Sequence, residues 1–330
     1  MKKINAILSI LTALVLCVSC NSDWEDEQFT HLVSFKAPIN SQGGVTSIYL
    51  RYKDDGKVTY QLPLVVSGTT TNDNNMTVRV AIDPDTLVDL NEARFSTRTE
   101  LYYQELTSEY FSIPETASIT AGQNTGLLPI SFSLTNLDLV HKWVLPPLTI
   151  LESQDGSYQV NERKDYRKAL LRIVPFNDYS GSYSSTTFMT YFKGSTTGGI
   201  SIDTKVAYVV DSKTIFFYAG LVDEDRTDRE YYKIFVRFND DDGQTLTIYT
   251  DNPAINLNVI GTPVYSISEE MDATLPYLKN RNIILDIEYE YTDYTTVTGL
   301  SIDYYVVGSL ALQRKINIQI PDEDQAIVWD

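Results

Sequence analysis

The chain has 330 residues, with 26 lysines and arginines against 44 aspartates and glutamates. The formal charge of -18 excludes the cationic face that nucleic acids and anionic lipids require. Two cysteines and two histidines leave little material for disulfides, thiolate catalysis or a histidine-based metal centre, and the length suffices for two domains, each with its own core.

Lys2 and Lys3 precede an apolar run from Ile4 to Val18, which ends in Ser19-Cys20. A basic start, a short apolar stretch and a small residue before the cut predict a secretory signal peptide over residues 1–19. The run is shorter than the ~20 apolar residues a spanning helix needs. Leu16-Cys17-Val18-Ser19-Cys20 resembles the lipobox of bacterial lipoproteins, with Cys17 where leucine is commonest. That resemblance implies cleavage before Cys20, acylation of its thiol, and a membrane association through the lipid anchor only. At ~0.8 kcal/mol per buried methylene, a multiply acylated cysteine holds a soluble domain firmly. Asp23-Trp24-Glu25-Asp26-Glu27, in a tether over 20–29, resembles the export signal that sends Bacteroides-type lipoproteins to the outer face of the outer membrane.

From Phe29 onward short alternating segments broken by Gly, Asn, Asp and Pro predict an all-β, antiparallel chain. Strands are expected at His31–Lys36, Val45–Tyr52, Val58–Val66 and Met76–Ile82. A short helix opened by an acidic cap follows over 85–90, then strands near Tyr110–Ile113, Ala117–Thr120, Leu128–Leu134 and Trp143–Glu152. Seven or so strands within residues 30–151 fit an immunoglobulin-like β-sandwich. The runs Tyr60-Gln61-Leu62-Pro63-Leu64, Tyr110-Phe111-Ser112-Ile113-Pro114, Ser118-Ile119-Thr120-Ala121-Gly122 and Trp143-Val144-Leu145-Pro146-Pro147 resemble a Bacteroides N-terminal domain of unknown function. That family occurs in surface lipoproteins of polysaccharide-utilisation loci, usually with Tyr where Trp143 stands here.

Residues 152–174 read as a linker, with a turn at Asp155-Gly156, a charged run from Glu162 to Asp165 and a strand from Ala169 to Val174 that leads into Pro175. From Pro175 to residue 330, eight to ten further strands are expected, two of them at 299–307 and 310–320. Alternation is clearest where Ile283, Leu285, Ile287, Tyr289 and Tyr291 oppose Ile284, Asp286, Glu288 and Glu290. Strands joined by short turns predict a closed antiparallel β-barrel, with a second sandwich as the alternative. Gly181-Ser182-Tyr183 and Thr214–Gly220 are similar to lipocalin-like C-terminal domains paired with the same N-terminal module.

The 23 tyrosines suggest a ligand with ring faces, since a flat aromatic face suits the C–H face of a sugar. The candidate ligand-binding residues are Tyr183, Tyr191, Tyr208, Tyr218, Tyr231, Tyr232 and Tyr291, against the plainer reading that tyrosine is a favoured strand residue. The acidic turn Asn239–Gly243 lacks EF-hand spacing, and no catalytic residue, metal site or cofactor motif emerges. The resemblances imply a non-catalytic surface lipoprotein that captures a polysaccharide or oligosaccharide beside an outer-membrane importer complex, with no nucleic acid partner. The alternative is a barrel that encloses a lipid or small apolar ligand around an empty cavity.

Overall fold

Alternating apolar and polar side chains are satisfied when one face of each segment is buried. The computed structural model describes residues 31–36, 45–241 and 243–320 and places about half of them in strands. The signal segment, Cys20 and the acidic tether lie outside the described residues.

The N-terminal part holds β1 (Leu32–Phe35), β2 (Thr46–Arg51), β3 (Lys57–Val66), β4 (Met76–Ile82) and helix α1 (Asp85–Phe95). It continues with β5 (Gln104–Glu105), β6 (Phe111–Ser112), β7 (Thr116–Ile119), β8 (Thr125–Ser133), β9 (Trp143–Val144) and β10 (Leu148–Ile150). Then come β11 (Gln159–Val160), β12 (Lys168–Ala169) and β13 (Leu171–Phe176). Three sheets result, in the orders β11-β1-β3-β8-β6, β12-β10-β4-β7 and β2-β13-β9-β5. Val33, Leu62, Leu64 and Leu128 from the first sheet share one core with Val78, Leu148 and Ile150 from the second and Ile48, Leu50 and Ile173 from the third.

Three features differ from the sequence reading. The strand expected over Trp143–Glu152 divides into β9 and β10, because Pro146 and Pro147 lack the N–H a ladder needs. The helix runs on to Phe95, opened by Asp83, whose carboxylate accepts the N–H of Asp85 at 3.2 Å. Asn91 then locks it to the chain by exchanging two 2.9 Å hydrogen bonds with the Tyr103 backbone. Residues 152–174 are not a linker: β11 pairs in parallel with β1, and β13 pairs in parallel with β2 through six residues. The apparent joint is an edge strand and a central strand of the sandwich.

The C-terminal part holds β14 (Gly181–Ser184), β15 (Met189–Phe192), β16 (Thr204–Val209), β17 (Thr214–Tyr218), β18 (Lys233–Phe238) and β19 (Leu246–Tyr249). After β20 (Asn258–Val259) and β21 (Val264–Met271), the long pair β22 (Leu278–Val297) and β23 (Leu300–Asn317) completes it. The sheet order is β19-β18-β17-β16-β14-β23-β22-β20, with β21 also on β22 and β15 also on β23. Its ends meet where Thr245 bridges Val264, reinforced by Leu246 N–H donating to the Pro263 carbonyl at 2.9 Å. The sheet therefore curls into the barrel-like form expected. Phe188, Phe217 and Tyr289 are buried in it, the last two rings 6.3 and 6.2 Å from Phe188, together with Ile215, Ile234, Val236, Leu285 and Leu310. Apart from the buried Lys205 the interior is largely apolar, and bulky side chains occupy it.

Candidate functional site

Strand β13 carries the chain out of the sandwich, and the turn after Phe176 is tied from several sides. Arg51 of β2 pairs with Asp178 at 2.8 Å, Arg314 of β23 donates to the Asn177 carbonyl at 2.8 Å, and the Asn177 amide donates to the Asp211 carbonyl at 2.7 Å. Beside this joint lies a cavity of about 280 Å³ between the two halves. Alternation along the parallel pair explains its sandwich wall. Ile48, Leu50, Leu171 and Ile173 point into the core, so Ser47, Tyr49, Arg172 and Val174 face the barrel.

The barrel wall is aromatic. Tyr208 lies opposite Phe216, Phe216 opposite Phe235, and Phe235 opposite Tyr249, on successive strands β16 to β19. Ring centroids along this row are 5.0, 5.9 and 5.0 Å apart, with the first and last pairs stacked. Directly opposed aromatic pairs on one face stabilise a sheet. Phe216 is 2% exposed whereas Tyr249 is 43% exposed, so Phe216 joins the row beneath the surface, with Tyr208 on the cavity wall at one end and Tyr249 in solvent at the other. Lys233 Nζ lies 5.6 Å from the Phe235 ring centroid and bridges Asp138 and Asp251 at 3.2 and 3.1 Å.

The loop after β17 supplies charge. Glu224 accepts the Tyr208 hydroxyl and lies 3.7 Å from Lys142, while Arg229 donates to the carbonyls of Val140 and Arg226 at 2.9 and 3.1 Å. Burial, reinforced by the Glu224 charge, pushes the Tyr208 hydroxyl well above the usual phenol range, so it stays a donor. From inside the barrel Lys205 holds this loop, donating to the carbonyls of Tyr218, Gly220 and Val222. Arg172 is the exception, because its Nε is buried with no hydrogen-bond partner.

The comparisons with known proteins follow the two halves. The model of DUF4973, a domain of unknown function, matches residues 24–154, and a model described as "-like, C-terminal" matches residues 167–311. A Bacteroides ovatus protein of unknown function is 48% identical, with a TM-score of 0.81 over 90% of this chain and 100% of that one. The chain belongs to the same Bacteroides protein family. An auxiliary nutrient binding protein from Bacteroides thetaiotaomicron is 43% identical, with a TM-score of 0.78 over 91% of this chain and 100% of that one. A Bacteroides ovatus multidomain protein including DUF1735 is 46% identical, with a TM-score of 0.79 over 90% and 99%. No curated protein matches the chain.

In this member of the family the seven candidate tyrosines fall into three groups. Tyr208 and Tyr218 line the cavity together. Tyr183, Tyr232 and Tyr291 are at most 3% exposed, which corrects their reading as ligand contacts. The Tyr183 hydroxyl donates to the Tyr179 carbonyl at 2.6 Å, that of Tyr232 to Asp293 at 2.9 Å, and the Tyr291 ring packs over Gly220. Tyr191 and Tyr231 sit apart from the cavity, with their rings 6.2 Å from Tyr305 and 6.5 Å from Tyr294 respectively. The acidic turn closes on itself, since Asp241 accepts the Thr245 N–H at 2.8 Å. Among the described residues no group of three or more His, Cys, Asp or Glu comes together as a metal centre.

Sequence reasoning missed Arg172, Glu224, Arg229, Phe216, Phe235 and Tyr249. The aromatic row had a usable signal: a turn at Asp211-Ser212-Lys213 sets Tyr208 against Phe216. Arg172 was hidden because the strand expected over 169–174 was placed in the joint with no partner, whereas it pairs with β2.

Proposed function

We propose that this protein is a non-catalytic glycan-binding protein, held by acylated Cys20 on the outer face of the outer membrane, that captures oligosaccharide for a neighbouring importer complex. The observation that carries the reading is the aromatic row from Tyr249 to Tyr208, which ends in a cavity lined by hydrogen-bonding and charged side chains. The rings of the row that reach the surface, Tyr208, Phe235 and Tyr249, suit the C–H faces of sugars, and the polar groups at the end of the row suit hydroxyls. The 43% identical relative described as an auxiliary nutrient binding protein supports a nutrient ligand. The side chains that fill the barrel weigh against an enclosed lipid.

Affinity electrophoresis of the protein through gels containing a polysaccharide panel tests this reading. Retardation by at least one polysaccharide, reduced in Phe235→Ala and Tyr208→Ala, is expected. Equal mobility in every gel would overturn it. Labelled palmitate should enter the wild-type protein in cells and not Cys20→Ser.

A further inference from the structure

We infer that the cavity between the two halves takes an acidic sugar, with Arg172 as the group that receives its carboxylate. This deepens the glycan reading and rests on it. The first observation is local charge. In a chain of formal charge -18, three cationic side chains, Lys142, Arg172 and Arg229, line this cavity against one carboxylate, Glu224. Such a concave cationic island attracts an anion although the rest of the surface repels one.

The second observation separates the three cations. Arg229 spends its donors on the carbonyls of Val140 and Arg226, and Lys142 faces Glu224 at 3.7 Å. The Arg172 guanidinium forms no hydrogen bond or ion pair among the described residues, and its Nε is shut away from water. The Nε itself is out of a ligand's reach, and an incoming carboxylate meets the two Nη groups, where it can form two parallel N–H···O bonds in the geometry the guanidinium fork favours.

The third observation is size and company. At about 280 Å³ the cavity lies just below the usual range of small-molecule sites, roughly 300–1,000 Å³. It therefore suits one sugar ring, with the remaining chain directed along the aromatic row. Tyr49, Tyr208 and Tyr218 supply flat faces beside Arg172. Glu224, already taken by Tyr208 and Lys142, repels a second anion and orients the sugar with its carboxylate towards Arg172.

Calorimetric titration of the full chain with galacturonate and glucuronate disaccharides, their neutral hexose counterparts and galactose 6-sulfate tests the inference. The expected result is binding of a uronate disaccharide at least tenfold tighter than its neutral counterpart, weakened by added salt. In Arg172→Gln that preference should disappear with an unchanged melting temperature, and in Arg172→Lys it should survive in part. Glu224→Gln, which leaves Arg172 intact, should tighten uronate binding and provides the test if the arginine variants melt early. Equal binding of uronate and neutral disaccharides, unchanged in Arg172→Gln, would overturn the acidic-sugar inference and leave the glycan reading standing. Preference for galactose 6-sulfate over both uronates would overturn the carboxylate assignment. Failure of every sugar, together with equal mobility in all polysaccharide gels, would overturn both readings.

Discussion

From the interior of the barrel, Lys205 Nζ donates to the carbonyl oxygen of Gly220 at 2.7 Å and reaches that of Val222 at 3.5 Å. The lysine thereby fixes the loop whose next residues include Glu224 and Arg229, both on the cavity wall. Lys205→Met removes the donor and leaves buried carbonyls unsatisfied, at a cost of about 1–3 kcal/mol. Urea unfolding should show that loss, and amide exchange over residues 219–224 should quicken. Unchanged exchange there would show that the lysine does not hold the loop.

The same lysine sets a pH dependence. Burial pulls its pKa from 10.5 down to about 7. Between those values the unfolded chain binds a proton that the folded chain does not, so stability rises with pH from about 7 to about 10. Burial pushes Tyr183 and Tyr289 above their ordinary value of 10.0, so above that pH the folded chain keeps protons the unfolded chain loses, and stability falls again. Unfolding free energies measured from pH 6 to 11 should therefore pass through a maximum near pH 10. Lys205→Met should flatten the rising limb and leave the falling one. A wild-type profile that is level from pH 7 to 10 contradicts the account.

Gly220 has φ +49, and a Cβ there would crowd Tyr291, whose Cε1 would lie 2.8 Å away. Gly220→Ala should cost about 1–3 kcal/mol, because the left-handed backbone and the ring contact both resist the methyl group. A change below about 0.5 kcal/mol in urea unfolding would mean that the loop relaxes freely.

Tyr249 and Phe235 separate binding from folding. Tyr249 is 43% exposed at the outer end of the aromatic row, so Tyr249→Ala should change stability by less than about 0.5 kcal/mol. If the row is a sugar platform, the same variant should bind its polysaccharide about tenfold more weakly, a loss of ~1.4 kcal/mol. Phe235→Ala should lose stability as well, since its ring packs between Phe216 and Tyr249. Wild-type affinity in Tyr249→Ala would remove the outer row from the site.

What the sequence disclosed follows from period. Ile283, Leu285, Ile287, Tyr289 and Tyr291 alternate with Ile284, Asp286, Glu288 and Glu290 and are buried as that period requires, which also marks Tyr289 and Tyr291 as inward-facing rather than available to a ligand. Gly308 was deceptive: read as a break between two strands, it lies inside the single strand β23, where φ +140 and the close approach of the Thr187 carbonyl leave no room for a side chain. The parallel return of β13 beside β2 is a long-range pairing with no local signal, so Arg172 looked like a linker residue instead of a cavity wall. Tyr208 and Tyr183 are indistinguishable by composition. Only the curl of the sheet puts one on the cleft and the other in the core.

A crystal structure of the protein with its bound oligosaccharide tests the central claim most directly. The account predicts a sugar ring in the cavity, with an acceptor oxygen within about 3 Å of the Arg172 guanidinium, and further rings over Phe235 and Tyr249. A sugar bound elsewhere, with the cavity between Arg172 and Tyr208 filled only by water, would contradict it.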